Sequence, residues 1–149
     1  MTDTVTDAPP LVRAILITIP GPMRGKQRAR TVRRGNFVSS YTPKETVSAE
    51  NWVRHCAIEQ AGQPCLEGPL ALAMVVTTPI PQSWSKKKQA AAESGAIYPV
   101  GKPDCSNMLK LCEDALNGVL WKDDAQIVLL SVVKSYGRAP STTLRVTPL

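Results

Sequence analysis

The chain has 149 residues, a formal charge of +6, four cysteines and one histidine. This length suits one domain with its own core, and the charge favours a polyanionic partner such as nucleic acid. The single histidine and the cysteine spacing argue against zinc sites and a Ser-His-Asp triad, and no apolar run is long enough to cross a membrane. We therefore expect a cytoplasmic protein with reduced cysteines and no membrane partner.

The amino-terminal residues 1–10 are polar and acidic, which predicts a disordered tail rather than a signal peptide. We expect one domain over residues 11–149. Its first element is a buried strand over residues 13–19, where apolar and β-branched side chains predominate. Pro20 and Pro22 end this strand.

A basic loop follows the first strand and contains six positive charges and no acid. Six like charges repel one another, so we favour contact with nucleic-acid phosphates over a solvated, flexible arm. Residues 21–26 resemble a nucleotide-binding loop, but the glycine spacing is one residue short and Gln27 stands where Ser or Thr is needed. No nucleotide cofactor is therefore expected. The candidate DNA-binding residues of this loop are Arg24, Lys26, Arg28, Arg30, Arg33 and Arg34.

The next segments predict a hairpin and a long helix. Residues 36–41 form a candidate strand that pairs back over the basic loop. The helix is predicted to be capped by Thr42, within a capping box, and to end near residue 61. Trp52 and His55 are interpreted as packing residues of this helix rather than as ligands.

A second core strand is predicted over residues 69–77, and a second helix over residues 83–93. The helix carries three consecutive lysines, Lys86, Lys87 and Lys88. Two interpretations of these lysines stay open. They form a second set of phosphate contacts, or they are the exposed turn of a surface helix.

The central segment, residues 102–124, holds five of the twelve acidic residues. Asp104 can cap a helix, and Asn117 with Gly118 is a strong helix stop. Residues 119–121 then predict a short buried strand. The apolar positions at helical spacing are Met108, Leu111, Cys112 and Ala115.

The geometry of this unit predicts a metal site. A helix of about 12 residues rises roughly 18 Å, and a reversal lets the following strand return roughly 13 Å. Asp123 and Asp124 can therefore approach Asp104 at the amino end of the helix. Carboxylates from two separate elements favour Mg²⁺, which prefers hard oxygen ligands.

Two strands complete the prediction. Residues 125–134 carry a long apolar run, which predicts burial on both faces over part of its length. Residues 142–146 alternate as a last edge strand. The order of elements predicts a mixed α/β (α+β) single domain in which helices pack on a mixed β-sheet.

The central segment also contains a spaced set of motifs. They are Lys-Pro-Asp-x-x-Asn-x-x-Lys at 102–110, Asp-Ala-Leu-Asn-Gly at 114–118 and Lys-Asp-Asp-x-Gln-Ile at 122–127. Upstream lie Gly-Lys-Gln-Arg at 25–28, Tyr-Thr-Pro-Lys at 41–44 and Pro-Gln-Ser-Trp-Ser-Lys-Lys-Lys at 81–88. Together these motifs resemble the RusA family of Holliday junction resolvases, found in bacteria and their phages.

The resemblance implies a RusA-like fold and a homodimeric, Mg²⁺-dependent endonuclease, with Mn²⁺ as an alternative ion. Such an enzyme cuts four-way DNA junctions by paired symmetric nicks during recombination, repair or phage DNA processing in the bacterial cytoplasm. The matching positions are Asp104, Lys110 and Asp124 for catalysis, Asp104, Asp124 and Asp123 for metal binding, and Asn107 and Asp114 as supporting residues. Without the family pattern, Lys110 and Asp114 would be interpreted as a surface ion pair worth about 0.3–0.5 kcal/mol.

Ser106 departs from the family pattern, which usually has a second aspartate at this position. A serine hydroxyl is a weaker Mg²⁺ ligand than a carboxylate, and Glu113, roughly 10 Å further along the helix, is too far to replace it directly. Three explanations stay open: a branch that uses Ser106 or water, an inactivating change, or junction binding without cleavage. After the junction endonuclease and the junction-binding protein without cleavage, a third candidate function stays open. It is a general basic nucleic-acid-binding domain in which the acidic residues have only a structural role.

Overall fold

The structure is a computed structural model that describes residues 13–149; the predicted tail over residues 1–10 lies outside them. The strands in this range are β1 (Ile15–Pro20), β2 (Arg30–Arg34), β3 (Phe37–Tyr41), β4 (Leu70–Pro79), β5 (Ile127–Gly137) and β6 (Ser141–Pro148). The helices are α1 (Lys44–Ala61), α2 (Lys86–Glu93) and α3 (Cys105–Leu116), with a 3₁₀ turn at Asp124–Gln126. This order confirms the predicted α+β class.

The main sheet has the strand order β1-β6-β4-β5 over the described residues. Strands β4 and β5 are parallel, as expected when helices connect them, and the other pairs are antiparallel. One row across the sheet shows the register. It runs from Ile17 through Leu144 and Met74 to Val132.

The hydrophobic core lies between one face of this sheet and helices α1 and α3. Alternate residues of β4, namely Leu70, Leu72, Met74 and Val76, are buried, as the period of two in a strand requires. The opposite face is uncovered: the side chain of Leu16 is 63% exposed and that of Val75 is 41% exposed. The domain therefore has two layers, and one sheet face is left open.

Residues 119–121 were predicted as a short strand, and this prediction is wrong. They are buried, but they form a turn in which the Gly118 N–H donates to the Trp121 carbonyl at 2.7 Å. The indole N–H of Trp121 also donates to Asn117 Oδ1 at 2.7 Å. Because Gly118 has φ of +79°, the chain closes on itself before it can extend.

The burial predicted for β5 and the edge position predicted for β6 are also wrong. Strand β5 lies at a sheet edge, where Val128, Leu129 and Leu130 are 60%, 59% and 52% exposed. Strand β6, predicted at an edge, pairs with both β1 and β4. Its alternation arises because one side chain in two faces the helices, and this pattern carries no information on which strands flank it.

Around helix α1 the hairpin prediction is confirmed, whereas the cap and the packing residues are corrected. Strands β2 and β3 pair antiparallel around a two-residue turn. The N-cap of α1 is Pro43 instead of Thr42, so the hydroxyl-based capping box does not form at this helix start in the described chain. Trp52 is 47% exposed and stacks on the exposed His55, at 5.8 Å between ring centroids. No helix within residues 13–149 is long and apolar enough to cross a membrane.

Candidate metal and nucleic-acid site

Helix α3 begins where Asp104 caps it. The Asp104 Oδ1 accepts a hydrogen bond from the Asn107 N–H at 2.8 Å, as predicted for an N-cap aspartate. The helix then buries Met108 and Leu111, which fixes its rotation against the sheet. Because Oδ1 is used in the cap, Oδ2 of Asp104 is the oxygen left to bind a ligand.

The segment that carries Asp104 is held by a lysine of strand β5. Lys134 Nζ donates to the Gly101 carbonyl at 2.6 Å and to the Pro103 carbonyl at 3.2 Å. The sequence motifs assign no role to Lys134. The available signal is that Lys134 is the one cation in the apolar run over residues 125–134.

Asp124, the late aspartate of the motif, lies beside Glu113. Burial and the neighbouring Asp124 carboxylate raise the pKa of Glu113 from an ordinary 4.5 to about 7. Lys110 acts in the opposite direction and lowers that pKa. Glu113 therefore lies close to Asp124. Distance along the helix axis from Ser106 could not predict this pairing, because Asp124 comes from a separate segment.

The turn that carries Asp123 and Asp124 is clamped by Gln126. Its Oε1 accepts hydrogen bonds from the Lys122 and Asp123 N–H groups at 2.9 and 3.0 Å. Its Nε2 donates to the carbonyls of Leu66 and Gly68 at 2.8 and 3.0 Å. Both ends of this amide are therefore used to position the turn.

Asp114 connects helix α3 to the basic loop. Its carboxylate pairs with the Lys26 ammonium and lies 3.7 Å from Lys110 Nζ, while Glu50 of helix α1 lies 3.7 Å from the same Lys26 ammonium. The hydrogen bond to Asp114 is the main reason why the pKa of Lys26 is raised. Lys26, predicted to bind DNA, is thus already neutralised by two carboxylates.

The backbone of the basic loop is seated on α3 as well. The Lys26 N–H donates to the Asn107 carbonyl at 3.1 Å. A Cβ added at Gly25 would lie 3.0 Å from Cβ of Pro103 and 3.2 Å from Cβ of Asn107, so a side chain there would force the two segments apart. The loop and the segment that carries Asp104 are therefore in direct contact.

The remaining predicted cations are on the surface. Arg24 and the arginines that follow Lys26 are exposed, as are the lysines of α2. Lys88 Nζ lies 3.9 Å from the ring centroid of Trp84, which in turn packs edge-on against Tyr136. Their binding to DNA stays a prediction.

The donor chemistry around α3 fits a hard divalent cation. The candidate ligands are carboxylate and hydroxyl oxygens, and the pKa of Glu113 is raised by burial and then by the neighbouring Asp124 carboxylate. Ser106 is exposed and lies one helical turn from Lys110. Within residues 13–149, no three His, Cys, Asp or Glu side chains are grouped to hold a metal ion. Water and a substrate phosphate would therefore complete the coordination.

A two-layer α+β domain with acidic oxygens on one helix and a basic loop docked on that helix has the features expected of a protein that acts on nucleic acid. The sequence profile of the family described as Endodeoxyribonuclease RusA matches residues 20–147. The chain belongs to this family, which comprises junction-resolving endodeoxyribonucleases. It is also similar to the uncharacterized protein YqaN of Bacillus subtilis, with 34% identity over 128 residues, or 85% of this chain and 90% of that protein.

Proposed function

We propose that this protein is a divalent-metal-dependent endonuclease that resolves four-way DNA junctions by paired symmetric nicks in the bacterial cytoplasm. The observation that carries the proposal is the docking of the basic loop on helix α3 through Lys26 and Asp114. This contact joins the arginines of that loop to the helix that bears Asp104. In this proposal the arginines of the loop hold the DNA backbone, and the acids of the helix and of the following turn serve hydrolysis.

In this proposal Asp104 and Asp124 hold Mg²⁺ or Mn²⁺, with Asp123 as a further candidate ligand. The bound ion would supply an activated water and charge neutralisation at the leaving oxygen. Lys110, whose side chain is 58% exposed, orients the scissile phosphate and stabilises the charge that develops on it. Ser106 contributes a neutral oxygen where a carboxylate is usual.

We also propose a homodimer, because two symmetric nicks need two sites related by symmetry. The support is the edge strand β5, on which Val128, Leu129 and Leu130 are all exposed. An edge strand with exposed apolar side chains is well suited to pair with a copy of itself. Sedimentation equilibrium should give twice the chain mass, and Leu129→Arg should shift it to the monomer. A monomeric parent protein would refute the dimer.

The test of the nuclease is cleavage of a synthetic four-way junction. We expect Mg²⁺-dependent nicks at symmetric positions, abolished by Asp104→Asn and by Asp124→Asn. Glu59→Gln is the matched control, since Glu59 is an exposed carboxylate that pairs only with the exposed His55 among the described contacts. Absence of nicking at any Mg²⁺ or Mn²⁺ concentration would rule out the nuclease for this chain.

The second candidate is a junction-binding protein without cleavage, and Ser106 is the observation that favours it. The residue replaces an anion by a neutral group, which weakens attraction for a divalent cation. Under this candidate the parent protein binds the junction without nicking, and Ser106→Asp gains metal-dependent cleavage. A Ser106→Asp protein no more active than the parent would exclude a lost metal ligand as the cause.

A further inference from the structure

The β2–β3 hairpin stands apart from the main sheet. Within the described residues, its strands pair with each other and form a separate two-stranded sheet. Every residue of the two strands is exposed except Val32, which is partly buried. The hairpin is therefore an arm whose side chains are available to a partner.

One face of this arm combines aromatic rings with guanidinium groups. The cross-strand pairs Arg34–Phe37 and Arg30–Tyr41 flank the pair that contains Val32. Pairs two residues apart project from the same side of a hairpin, so these four side chains share one face. We call it the hairpin face: Arg30, Arg34, Phe37 and Tyr41.

Phe37 is the strongest feature of the hairpin face. It is the single phenylalanine of the sequence, yet 82% of it is exposed beside the turn at the tip of the arm. Tyr41 is 48% exposed on the same face. Scattered apolar residues on a surface are ordinary, but here two rings are grouped with two arginines, and residues 24–41 contain no acid.

This composition selects a ligand that offers both negative charge and flat π-surfaces. Arginine guanidinium groups bind phosphates, and aromatic rings stack on nucleobases whatever their identity. A base pair inside a continuous duplex offers neither ring face, because its neighbours cover both. Unstacking a base at a branch point or in a single strand requires less free energy than unstacking a base inside a duplex.

We propose that the hairpin face binds unstacked nucleobases of branched or single-stranded DNA, with Phe37 stacked on a base and Arg30 and Arg34 on adjacent phosphates. The inference rests on the proposed function and deepens it, because it names the feature that distinguishes a junction from duplex DNA. Apolar side chains inserted at a base step are a known means of reading DNA that is already distorted.

The test measures binding in EDTA, so that cleavage plays no part. A four-way junction with 2-aminopurine at its centre is compared with a duplex of the same sequence. We expect Phe37→Ala to weaken junction binding about tenfold and to leave duplex binding within about twofold, since a base–aromatic stack contributes about 1–3 kcal/mol. The parent protein should also change the 2-aminopurine fluorescence, and Phe37→Ala should abolish that change.

Two variants serve as controls. Val38→Ala removes an apolar side chain of similar exposure from the opposite face of the hairpin and should leave both affinities unchanged. Phe37→Trp keeps a ring and should retain junction preference. Equal losses for junction and duplex with Phe37→Ala, or no loss at all, would overturn the inference. A shift of Phe37→Ala to lower mass in sedimentation would instead assign Phe37 to contact with a second copy, and would overturn it too.

The outcomes separate this inference from the nuclease proposal. Junction binding that depends on Phe37, in a protein that never nicks, would sustain the inference and refute the nuclease. Metal-dependent nicking, together with junction binding that is unchanged by Phe37→Ala, would support the nuclease and refute the inference. The thermal midpoints of all variants should match that of the parent, because substitutions of exposed residues usually change stability little.

Discussion

The side-chain amide of Gln126 donates to the carbonyl oxygen of Leu66 at 2.8 Å, across 60 residues of sequence. The same side chain accepts from the backbone N–H of Asp123 at 3.0 Å. This single residue therefore fixes the turn before β5 to the segment before β4. The late aspartates of the motif depend on it for their position.

Gln126→Leu should destabilise the protein by about 1–3 kcal/mol, because it leaves the carbonyl oxygen of Leu66, whose hydrogen bond is partly buried, without its partner. Urea unfolding measures this loss. Gln126→Glu keeps the acceptor oxygen and loses the amide donor, so it should fall between Gln126→Leu and the parent. If both variants unfold at the parent's urea concentration, the clamp does not operate in solution.

The stability of the metal-free protein should fall as pH rises from about 4.5 to 7, and Glu113→Gln should remove part of this fall. The pKa of Glu113 is raised to about 7 by burial and by Asp124, so the folded state binds more protons than the unfolded state in this window. The contribution of Glu113 to the free energy of unfolding is fully present below the pKa that this residue has in the unfolded chain. It is lost as the pH rises through the pKa that the residue has in the folded protein. Unfolding in EDTA at pH 5 and pH 8 measures the difference.

We compare the free energy of unfolding of Glu113→Gln with that of the parent at each pH. After allowance for solvent screening, we expect the difference in favour of the variant to be about 1 kcal/mol larger at pH 8 than at pH 5. Glu59→Gln again serves as the control, because Glu59 is exposed and pairs with His55. Parallel pH curves for the parent and Glu113→Gln would show that Glu113 and Asp124 do not interact.

One cysteine should react rapidly with a thiol reagent under native conditions. Cys65 is exposed and should react first, and Cys105 is only partly exposed and should react more slowly. Cys56 and Cys112 are buried, and burial raises the pKa of Cys112 to about 12. Because the thiolate is the reactive form, Cys112 should react only after unfolding. Timed labelling followed by mass spectrometry identifies each site. Cys65→Ser should remove the fast phase, and fast labelling of Cys112 would contradict the packing of α3.

Removing Arg28 and Arg30 together should flatten the dependence of junction affinity on salt by about two counterions, if both contact phosphates. Lys26→Ala should change this slope less, because its ammonium is already paired with Asp114 and Glu50. Titrations of affinity against salt concentration compare the two. An unchanged slope in the Arg28→Ala, Arg30→Ala protein would count against the basic loop as a phosphate contact.

Much of the fold is readable from local patterns. The helical spacing of Met108 and Leu111 and the capping role of Asp104 predict helix α3, and the apolar run over residues 69–77 predicts β4. The place of a strand within the sheet is not readable in this way. Periodicity reports which side chains face the core, so it could not show that β5 is an edge and β6 is flanked on both sides.

The candidate site likewise contains residues that the sequence predicts and contacts that it does not. Sequence motifs single out Asp104, Lys110 and Asp124, but their partners come from distant segments. Lys134 holds the chain before Asp104, and Glu113 meets Asp124. Both contacts depend on how α3 lies against β5, which is a property of the packed domain and not of any local pattern.

The pairing of β1 with β6 has a consequence for biosynthesis. Ile17 finds its partner Leu144 more than 120 residues later in the chain. At about 5–20 residues per second, the ribosome leaves the apolar strand β1 without its neighbour for roughly 6–25 s. Strand β1 is therefore an expected binding segment for chaperones on the nascent chain, and the sheet can close only after β6 has emerged.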